Sequence, residues 1–121
     1  MLRPNRAIPG EMGSPTPPPH AFYDARSLAF HREIAARLHA DPALLDIAKA
    51  TLARWRAQSP DRPADVEWAA ILARGVEAVI AIIEAEDHEG QRLRQSSPLL
   101  SVLSLEECEA IRTAFAARAS E

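Results

Sequence analysis

Residues 41–55 read DPALLDIAKATLARW and indicate the class of fold. Asp41 is of the type that caps helix N-termini, and Pro42 suits the first helical position because its ring fixes φ near the helical value. Five apolar side chains then follow on one stripe at helical spacing: Leu44, Leu45, Ala48, Leu52 and Trp55. The stretch therefore predicts an amphipathic helix that begins behind Asp41 and ends near Gln58.

The segment before this helix has the same periodicity. Asp24 is placed to cap a helix that runs to about His39. Its inward stripe is expected to hold Leu28, His31, Ile34, Ala35 and Leu38. Two consecutive helices of this kind favour packing of helix on helix.

The pattern continues behind a turn at residues 59–63. Asp65 is expected to cap a third helix, and Gly75 is expected to end it. The side chains predicted to face inward are Val66, Ala69, Leu72 and Ala73. Residues 76–86 are rich in β-branched side chains, which also suit a strand. A helix is expected there, because a lone strand would have no partner in this chain.

Two signals organise the C-terminal part. Asp87 is expected to start a short helical turn that reaches Arg94, and residues 95–98 end in a proline that interrupts it. Ser104 and Glu107 have the spacing of a capping box, which predicts a last helix. Its inward face is expected to hold Leu105, Cys108, Ile111 and Phe115.

Five or six amphipathic helices within residues 22–121 predict a single all-α domain, a small compact bundle. The largest core side chains are expected to be Trp55, Trp68 and Phe115. Residues 1–21 differ, since they hold six of the ten prolines, and a disordered proline-rich tail is expected there. The tail is interpreted as a linker, as an extension upstream of a start at Met12, or as a proline-rich ligand for a groove.

Composition and charge exclude several classes of function. The 121 residues carry a formal net charge of −3 and a mean hydropathy of −0.18, so nothing draws the chain strongly to nucleic acid or to an anionic membrane. No stretch reaches the roughly eighteen apolar residues of a membrane span, and a cytoplasmic location is expected. The single cysteine, Cys108, excludes an intrachain disulfide and a four-cysteine zinc site.

The histidines do not form a metal-binding pattern. His31 and His39 are eight residues apart, which is too far for one ion on one helix. His88 lies in the acidic stretch 84–89, which is interpreted as solvated surface or as a site that a cation or a basic partner neutralises. Cys108 lies on an apolar face, where an inert thiol is expected. No metal and no cofactor are predicted.

Residues 26–31 read RSLAFH and resemble the Rx4H element of HEPN-domain ribonucleases, which are all-α proteins of about this length. In that family the arginine and the histidine face a shared dimer cleft and act on the RNA phosphodiester. The resemblance implies Arg26 and His31 as catalytic residues. The family usually has a polar residue such as Asn or Asp after the arginine and carries the element late in the domain. Here Ser27 follows the arginine, and the element lies in the first helix.

Residues 91–100 read QRLRQSSPLL and are the segment least like a neutral surface. Guanidinium groups bind carboxylates and phosphates through two parallel hydrogen bonds. The predicted partner-binding residues are Arg92, Arg94, Gln95, Ser96, Ser97, Leu99 and Leu100. Arg92 and Arg94 point about 200° apart on a helix, so they cannot both contact the same surface of a partner. Arg92 is therefore expected to anchor the loop on Glu106 or Glu109, and Arg94 is expected to face the partner. The alternative is a connecting loop whose leucines tuck under the last helix.

Several segments resemble a group of short bacterial proteins from toxin–antitoxin gene pairs. These segments are SLAFHREIA at 27–35, DPALL at 41–45, LARW at 52–55 and RLRQSSP at 92–98, within a similarity that covers about residues 27–115. The resemblance implies the neutralising component of such a pair, without a catalytic set. After the proline the group tends to have Phe-x-Gly, where this chain has Leu99, Leu100 and Ser101. The group also tends to end in Glu-Arg, where this chain has Glu107-Cys108.

These observations predict a non-enzymatic protein that binds another protein, such as a toxin, and covers its active surface. A homodimer is a further assembly that would bury additional surface. A HEPN-like ribonuclease is the enzymatic alternative, and a small inhibitor of a bacterial defence complex is a third.

Overall fold

The computed structural model of the chain describes residues 19–119, and these residues form six α-helices and no β-strand. The helices are α1 (Pro19–Ala40), α2 (Leu45–Gln58), α3 (Pro63–Leu72), α4 (Val76–Ile83), α5 (His88–Arg94) and α6 (Leu105–Ala119). Short 3-10 helices at Pro42–Leu44 and Leu99–Val102 lie before α2 and after α5. The all-α class is confirmed, and residues 1–18 of the predicted tail lie outside the described residues. Within residues 19–119, no helix is both long and apolar enough to cross a membrane.

The first helix begins earlier than predicted. α1 starts at Pro19, so Asp24 lies inside the helix and does not cap it, and residues 19–21 belong to the helix and not to the tail. A proline is compatible with a first helical turn, because the amides of that turn have no acceptor within the helix. The predicted inward stripe of α1 is confirmed in the C-terminal half of the helix, where the buried residues include His31, Ile34, Ala35 and Leu38.

The segment from Asp41 to Gln58 begins and ends as predicted. The Oδ1 atom of Asp41 accepts a hydrogen bond from the Ala43 amide at 3.3 Å, and Pro42 opens the 3-10 helix that continues into α2. Leu45, Ala48 and Leu52 are buried. Trp55 is only half-buried against the edge of the core, so the prediction that it is one of the largest core side chains is wrong.

The core is built around α1, which contacts α4, α5, α6 and both 3-10 helices. α2 packs against α3 and against the 3-10 helix at Leu99–Val102. The largest fully buried apolar side chains are Trp68, Ile34, Leu38, Ile83, Leu99 and Val79. The indole Nε1 of Trp68 donates a hydrogen bond to the carbonyl oxygen of Leu93 at 3.0 Å, which joins α3 to α5.

The buried face of α3 agrees with the prediction at Leu72 and differs from it at the other positions. The buried residues are Asp65, Trp68, Ile71 and Leu72, whereas Val66 is 47% exposed and Ala73 is exposed. Asp65 is not the cap either, since Arg62 holds that position. α3 is apolar around most of its circumference, so periodicity cannot select a face. The face that carries the large Trp68 is buried because it removes the most apolar area from water.

Residues 76–83 form the helix α4, as predicted, with Val79, Ile80 and Ile83 buried. Gly75 separates α3 from α4 with φ 102° and ψ 169°. This backbone conformation is essentially restricted to glycine. The predicted break at Gly75 is therefore confirmed and has a conformational cause.

Both predicted caps in the C-terminal part are present. The Oδ1 atom of Asp87 accepts the Gly90 amide at 2.8 Å at the start of α5. Ser104 and Glu107 form the reciprocal capping box, with distances of 3.0 and 2.7 Å. Leu105 is 90% exposed, contrary to prediction, because the first residue of α6 points away from the bundle. Cys108, Ile111 and Phe115 are half-buried as one face.

Candidate functional site

The predicted partner-binding segment divides into a buried and an accessible part. Arg94, Ser97 and Leu99 are buried. Arg92, Gln95 and Leu100 are exposed, and Ser96 is half-buried. Buried residues at 93–94 and 97–99 separate the accessible positions, because the segment leaves α5 and turns into the 3-10 helix at Leu99–Val102.

Arg94 is not the partner-facing arginine. Its side chain is 5% exposed, and Nη1 donates hydrogen bonds to the carbonyl oxygens of Ile83 at 3.2 Å and Ala85 at 2.5 Å. Burial lowers the pKa of the Arg94 guanidinium from its ordinary value. Arg94 is therefore held at the end of α4, where the carbonyl of the last residue, Ile83, has no amide donor within the helix. The predicted anchoring of Arg92 on Glu106 or Glu109 is also wrong, since its partners are Glu67 and Glu89.

Arg92 takes the outward position that was predicted for Arg94. Its guanidinium makes two hydrogen bonds to Glu67 of α3, at 3.0 and 2.7 Å, and two to Glu89, at 3.0 and 2.9 Å. These hydrogen bonds raise the pKa of Arg92 and lower those of Glu67 and Glu89. Arg92 is 51% exposed, so it faces solvent while it ties α5 to α3.

The predicted serines have different surroundings. The hydroxyl of Ser97 accepts the amide of Leu99 at 2.9 Å and is buried in the turn. Ser96 and Ser97 both line a small concavity of about 220 Å³, together with Trp55, Arg62 and Gln95. Leu99 is buried and shapes the turn from inside, whereas Ser97 holds the turn through its hydroxyl and also borders the concavity.

A groove between α1 and α5 gathers the accessible part of the segment. It has a volume of about 420 Å³ and is lined by Tyr23, Asp24, Ser27, Gln91, Arg94, Gln95 and Leu100. Tyr23 is 54% exposed and Leu100 is 43% exposed. The structure thus brings Gln95 and Leu100, which were predicted, together with Tyr23, which no sequence pattern marks. The N-terminal extension of α1 beyond Asp24 supplies that tyrosine.

Two buried polar groups belong to the same region of the fold. The Nδ1 atom of His31 lies 2.7 Å from the carbonyl oxygen of Ser27, so Nδ1 carries the proton of the neutral ring. His31 Nε2 and Arg94 Nε have no hydrogen-bond partner among the described residues. The pKa of His31 is lowered to about 4, chiefly by burial and to a smaller extent by the positive charge of Arg94, while the hydrogen bond to the Ser27 carbonyl acts in the opposite direction.

Arg26 and His31, the catalytic pair that the HEPN resemblance implies, have different surroundings in the single chain. Arg26 lies over the rings of Tyr23 and Phe22, 4.9 and 5.8 Å from their centroids. His31 is 1% exposed and sits in the core. An RNA phosphate cannot reach the unprotonated Nε2 of His31 without opening of the bundle, so the two residues do not share an accessible cleft here.

The carboxylates of the acidic stretch 84–89 are largely paired with other groups of the same chain. Glu86 pairs with Arg32 of α1 at 2.8 Å, Glu89 pairs with Arg92, and Asp87 caps α5. Within residues 19–119, no three His, Cys, Asp or Glu side chains come together as a metal site would need. Ion pairs and capping are the role that the structure gives to this stretch.

Comparison of the chain with family models, with curated protein sequences and with solved structures found no match. The geometry of the α1–α5 groove is therefore the basis for the functional proposal.

Proposed function

We propose that this protein is a non-enzymatic binding module whose α1–α5 groove takes a segment of another protein. The observation that carries the proposal is the pair Tyr23 and Leu100, two large exposed side chains on the walls of one groove. Aromatic and aliphatic side chains that stand in a concave site beside a few polar groups are typical anchors of protein interfaces.

The polar groups of the groove favour a peptide segment as the ligand. Gln91 and Gln95 carry amides that can both donate to and accept from a peptide backbone, and Asp24 adds an acceptor. Each wall offers an apolar surface for one side chain of the segment. The groove is thus suited to an extended or looped segment with a hydrophobic residue between polar ones.

Neutralisation of a toxin by occlusion is the biological role that we propose for this binding. The support is the resemblance of residues 27–55 and 92–103 to proteins of toxin–antitoxin pairs. The partner segment would come from the toxin, and binding would cover the surface with which the toxin acts. The expected affinity depends on the residues that line the groove and not on the buried Ser97 and Leu99, which lie outside it.

The test is co-expression with the product of the neighbouring reading frame. If that product arrests growth, we expect the wild-type protein to restore growth and to co-purify with it. Leu100→Asp and Tyr23→Ala should each weaken co-purification at least tenfold while the fold is retained. Ile47→Asp is the matched control, since Ile47 is 41% exposed on α2 and does not line the groove.

Two results would count against the proposal. Equal loss of binding in the Ile47→Asp control would show that the α1–α5 groove is not the contact surface. Growth arrest by the wild-type protein alone, relieved by Arg26→Ala or His31→Ala in folded variants, would instead support the ribonuclease interpretation.

A further inference from the structure

A second groove lies between α2 and α3 and shares no residue with the α1–α5 groove. It has a volume of about 330 Å³, and its floor is apolar. The floor residues are Leu52, Ala53, Ala69, Leu72 and Ala73. Two cationic side chains of α2, Lys49 and Arg56, also line it and are exposed at its rim.

The α3 wall of this groove belongs to a second apolar face of the helix. Trp68 and Ile71 point into the core, while Val66, Ala69 and Ala73 follow one another at intervals of three and four residues on another side. Val66 is 47% exposed at one end of that stripe. A helix that is apolar on two faces is typical of one that is covered on both sides. Among residues 19–119, the face with Trp68 is buried, whereas the second face is half-buried at Ala69 and exposed at Val66 and Ala73.

No carboxylate among residues 19–119 forms an ion pair with Lys49 or Arg56 at the rim. Five arginines of the described residues do form ion pairs: Arg32, Arg37, Arg62, Arg92 and Arg112. Within the same range, the exposed Arg54, Arg74 and Arg118 also form none, but they do not line this groove. Lys49 and Arg56 lack an ion pair with the described residues although the chain has a net charge of −3 and therefore more carboxylates than cations. Two unpaired cations beside an apolar floor define a surface complementary to a ligand that is apolar and acidic.

We propose that the α2–α3 groove binds an acidic amphipathic helix of a partner protein. The apolar stripe of that helix would lie on Leu52, Ala69 and Leu72, and its carboxylates would pair with Lys49 and Arg56. Lys49 and Arg56 are seven positions apart on α2, which is about 10.5 Å along the axis on one face. A partner helix that lies along α2 therefore needs two acidic residues at the same spacing of seven.

Two other occupants fit this surface less well, one because of the rim charges and one because of the floor. In a symmetric pair of chains, each rim of Lys49 and Arg56 would face the rim of the other copy, and like charges would repel. A nucleic acid would meet an apolar floor of alanine and leucine, which offers no partner to its phosphates or base edges. A helix with an apolar and an acidic face satisfies both the floor and the rim.

The probe for this surface is a synthetic 18-residue amphipathic peptide of Leu, Ala and Glu, with glutamates seven positions apart beside a leucine stripe. Titrated into the ¹⁵N-labelled full chain, it should shift amide resonances of residues 49–56 and 66–73. The same peptide with Lys in place of Glu should bind at least tenfold more weakly. The double variant Lys49→Glu and Arg56→Glu should weaken binding of the acidic peptide at least tenfold and strengthen binding of the basic one.

The matched control is the double variant Arg54→Glu and Arg118→Glu, which changes net charge equally at exposed residues outside the groove. It should bind the acidic peptide within about twofold of wild type. The proposal is overturned if the acidic peptide shifts no resonance of the groove, or if both double variants lose binding equally. It is also overturned if a single-stranded oligonucleotide shifts the groove resonances more strongly, or if those resonances change with protein concentration alone. Since the α1–α5 groove is untouched by these substitutions, its binding of a partner can fail or succeed independently.

Discussion

Arg94 and Ala85 are joined by a hydrogen bond of 2.5 Å from the guanidinium Nη1 to the carbonyl oxygen. The same nitrogen reaches the carbonyl oxygen of Ile83 at 3.2 Å. Ile83 is the last residue of α4, and Ala85 lies in the loop behind it. The last carbonyls of a helix have no amide donor within the helix, so Arg94 of α5 caps α4 through Ile83 and holds the following loop through Ala85. One side chain thereby fixes the joint between two short helices and forms part of the wall of the α1–α5 groove.

Arg94→Ala is expected to lower the free energy of unfolding by about 2 to 4 kcal/mol, because two carbonyl oxygens in a buried joint lose their donor. Arg92→Ala should leave that free energy nearly unchanged, since its ion pairs are exposed to solvent. Urea denaturation of the two variants measures the difference. A larger loss for Arg92 than for Arg94 would contradict the roles assigned to them.

Gly90→Ala is expected to destabilise the protein by about 1 to 3 kcal/mol. A Cβ at this position would overlap the carbonyl oxygen of Ala85 and lie 2.9 Å from its carbonyl carbon, so the backbone between α4 and α5 would have to move. Helix propensity by itself favours alanine over glycine by about 1 kcal/mol and so predicts the opposite sign. The sign of the change in the denaturation midpoint decides between the two effects.

The two tryptophans should differ in stability and in emission. Trp68→Ala is expected to cost about 3 to 5 kcal/mol, since the side chain is fully buried and its Nε1 is bonded to Leu93. Trp55→Ala should cost clearly less, because Trp55 is half-buried. Fluorescence of Trp55→Phe should be blue-shifted relative to that of Trp68→Phe. Equal emission maxima would show that Trp68 is not in a dry core.

Stability is expected to fall as the pH decreases from about 6.5 to 4. The pKa of His31 is about 4 in the folded chain and 6.5 when unperturbed, so the unfolded chain binds the proton more readily in this window. Above pH 6.5 the ring is neutral in both states and the free energy of unfolding is at its full value. As the pH falls towards 4, that free energy decreases by about 3 kcal/mol in all, because the unfolded chain takes up the proton first.

The variant His31→Gln isolates this effect from the titration of carboxylates. Between pH 6.5 and 5 most carboxylates stay ionised, so the slope of unfolding free energy against pH should be clearly smaller in His31→Gln than in wild type. The slope is compared and not the absolute stability, because the substitution itself perturbs the core. Identical slopes would mean that His31 is not buried as a neutral ring.

Local signals predicted the boundaries of most elements. The cap at Asp41, the break at Gly75, the cap at Asp87 and the box of Ser104 and Glu107 each depend on residues within four positions of one another. Such interactions form from the chain's own neighbours, so they can be recognised without knowledge of the fold. The sequence also predicted that residues 76–83 are helical and not extended, since no other segment was expected to form a strand that could pair with them.

The candidate site could be predicted only in part. Residues 91–100 stand out by composition, and Gln95 and Leu100 do line the α1–α5 groove. Tyr23 could not be assigned to it, because its place depends on the start of α1 at Pro19 and on the packing of α1 beside α5. The contact between Arg92 and Glu67 spans 25 positions, and no local pattern anticipates it.

The sequence by itself determined that this chain is helical, where most of its helices end and three of the side-chain caps, those of Asp41, Asp87 and Ser104, because those properties depend on backbone groups and side chains a few residues apart. Only the tertiary structure decided which arginine is buried, which face of α3 enters the core and which aromatic side chain stands in the groove. On α3, apolar residues surround most of the axis, so the hydrophobic effect does not distinguish its faces until the neighbouring helices are in place. Arg92 and Arg94 are likewise equivalent in composition, and their roles differ because α4 presents unpaired carbonyls to one of them and α3 presents a carboxylate to the other.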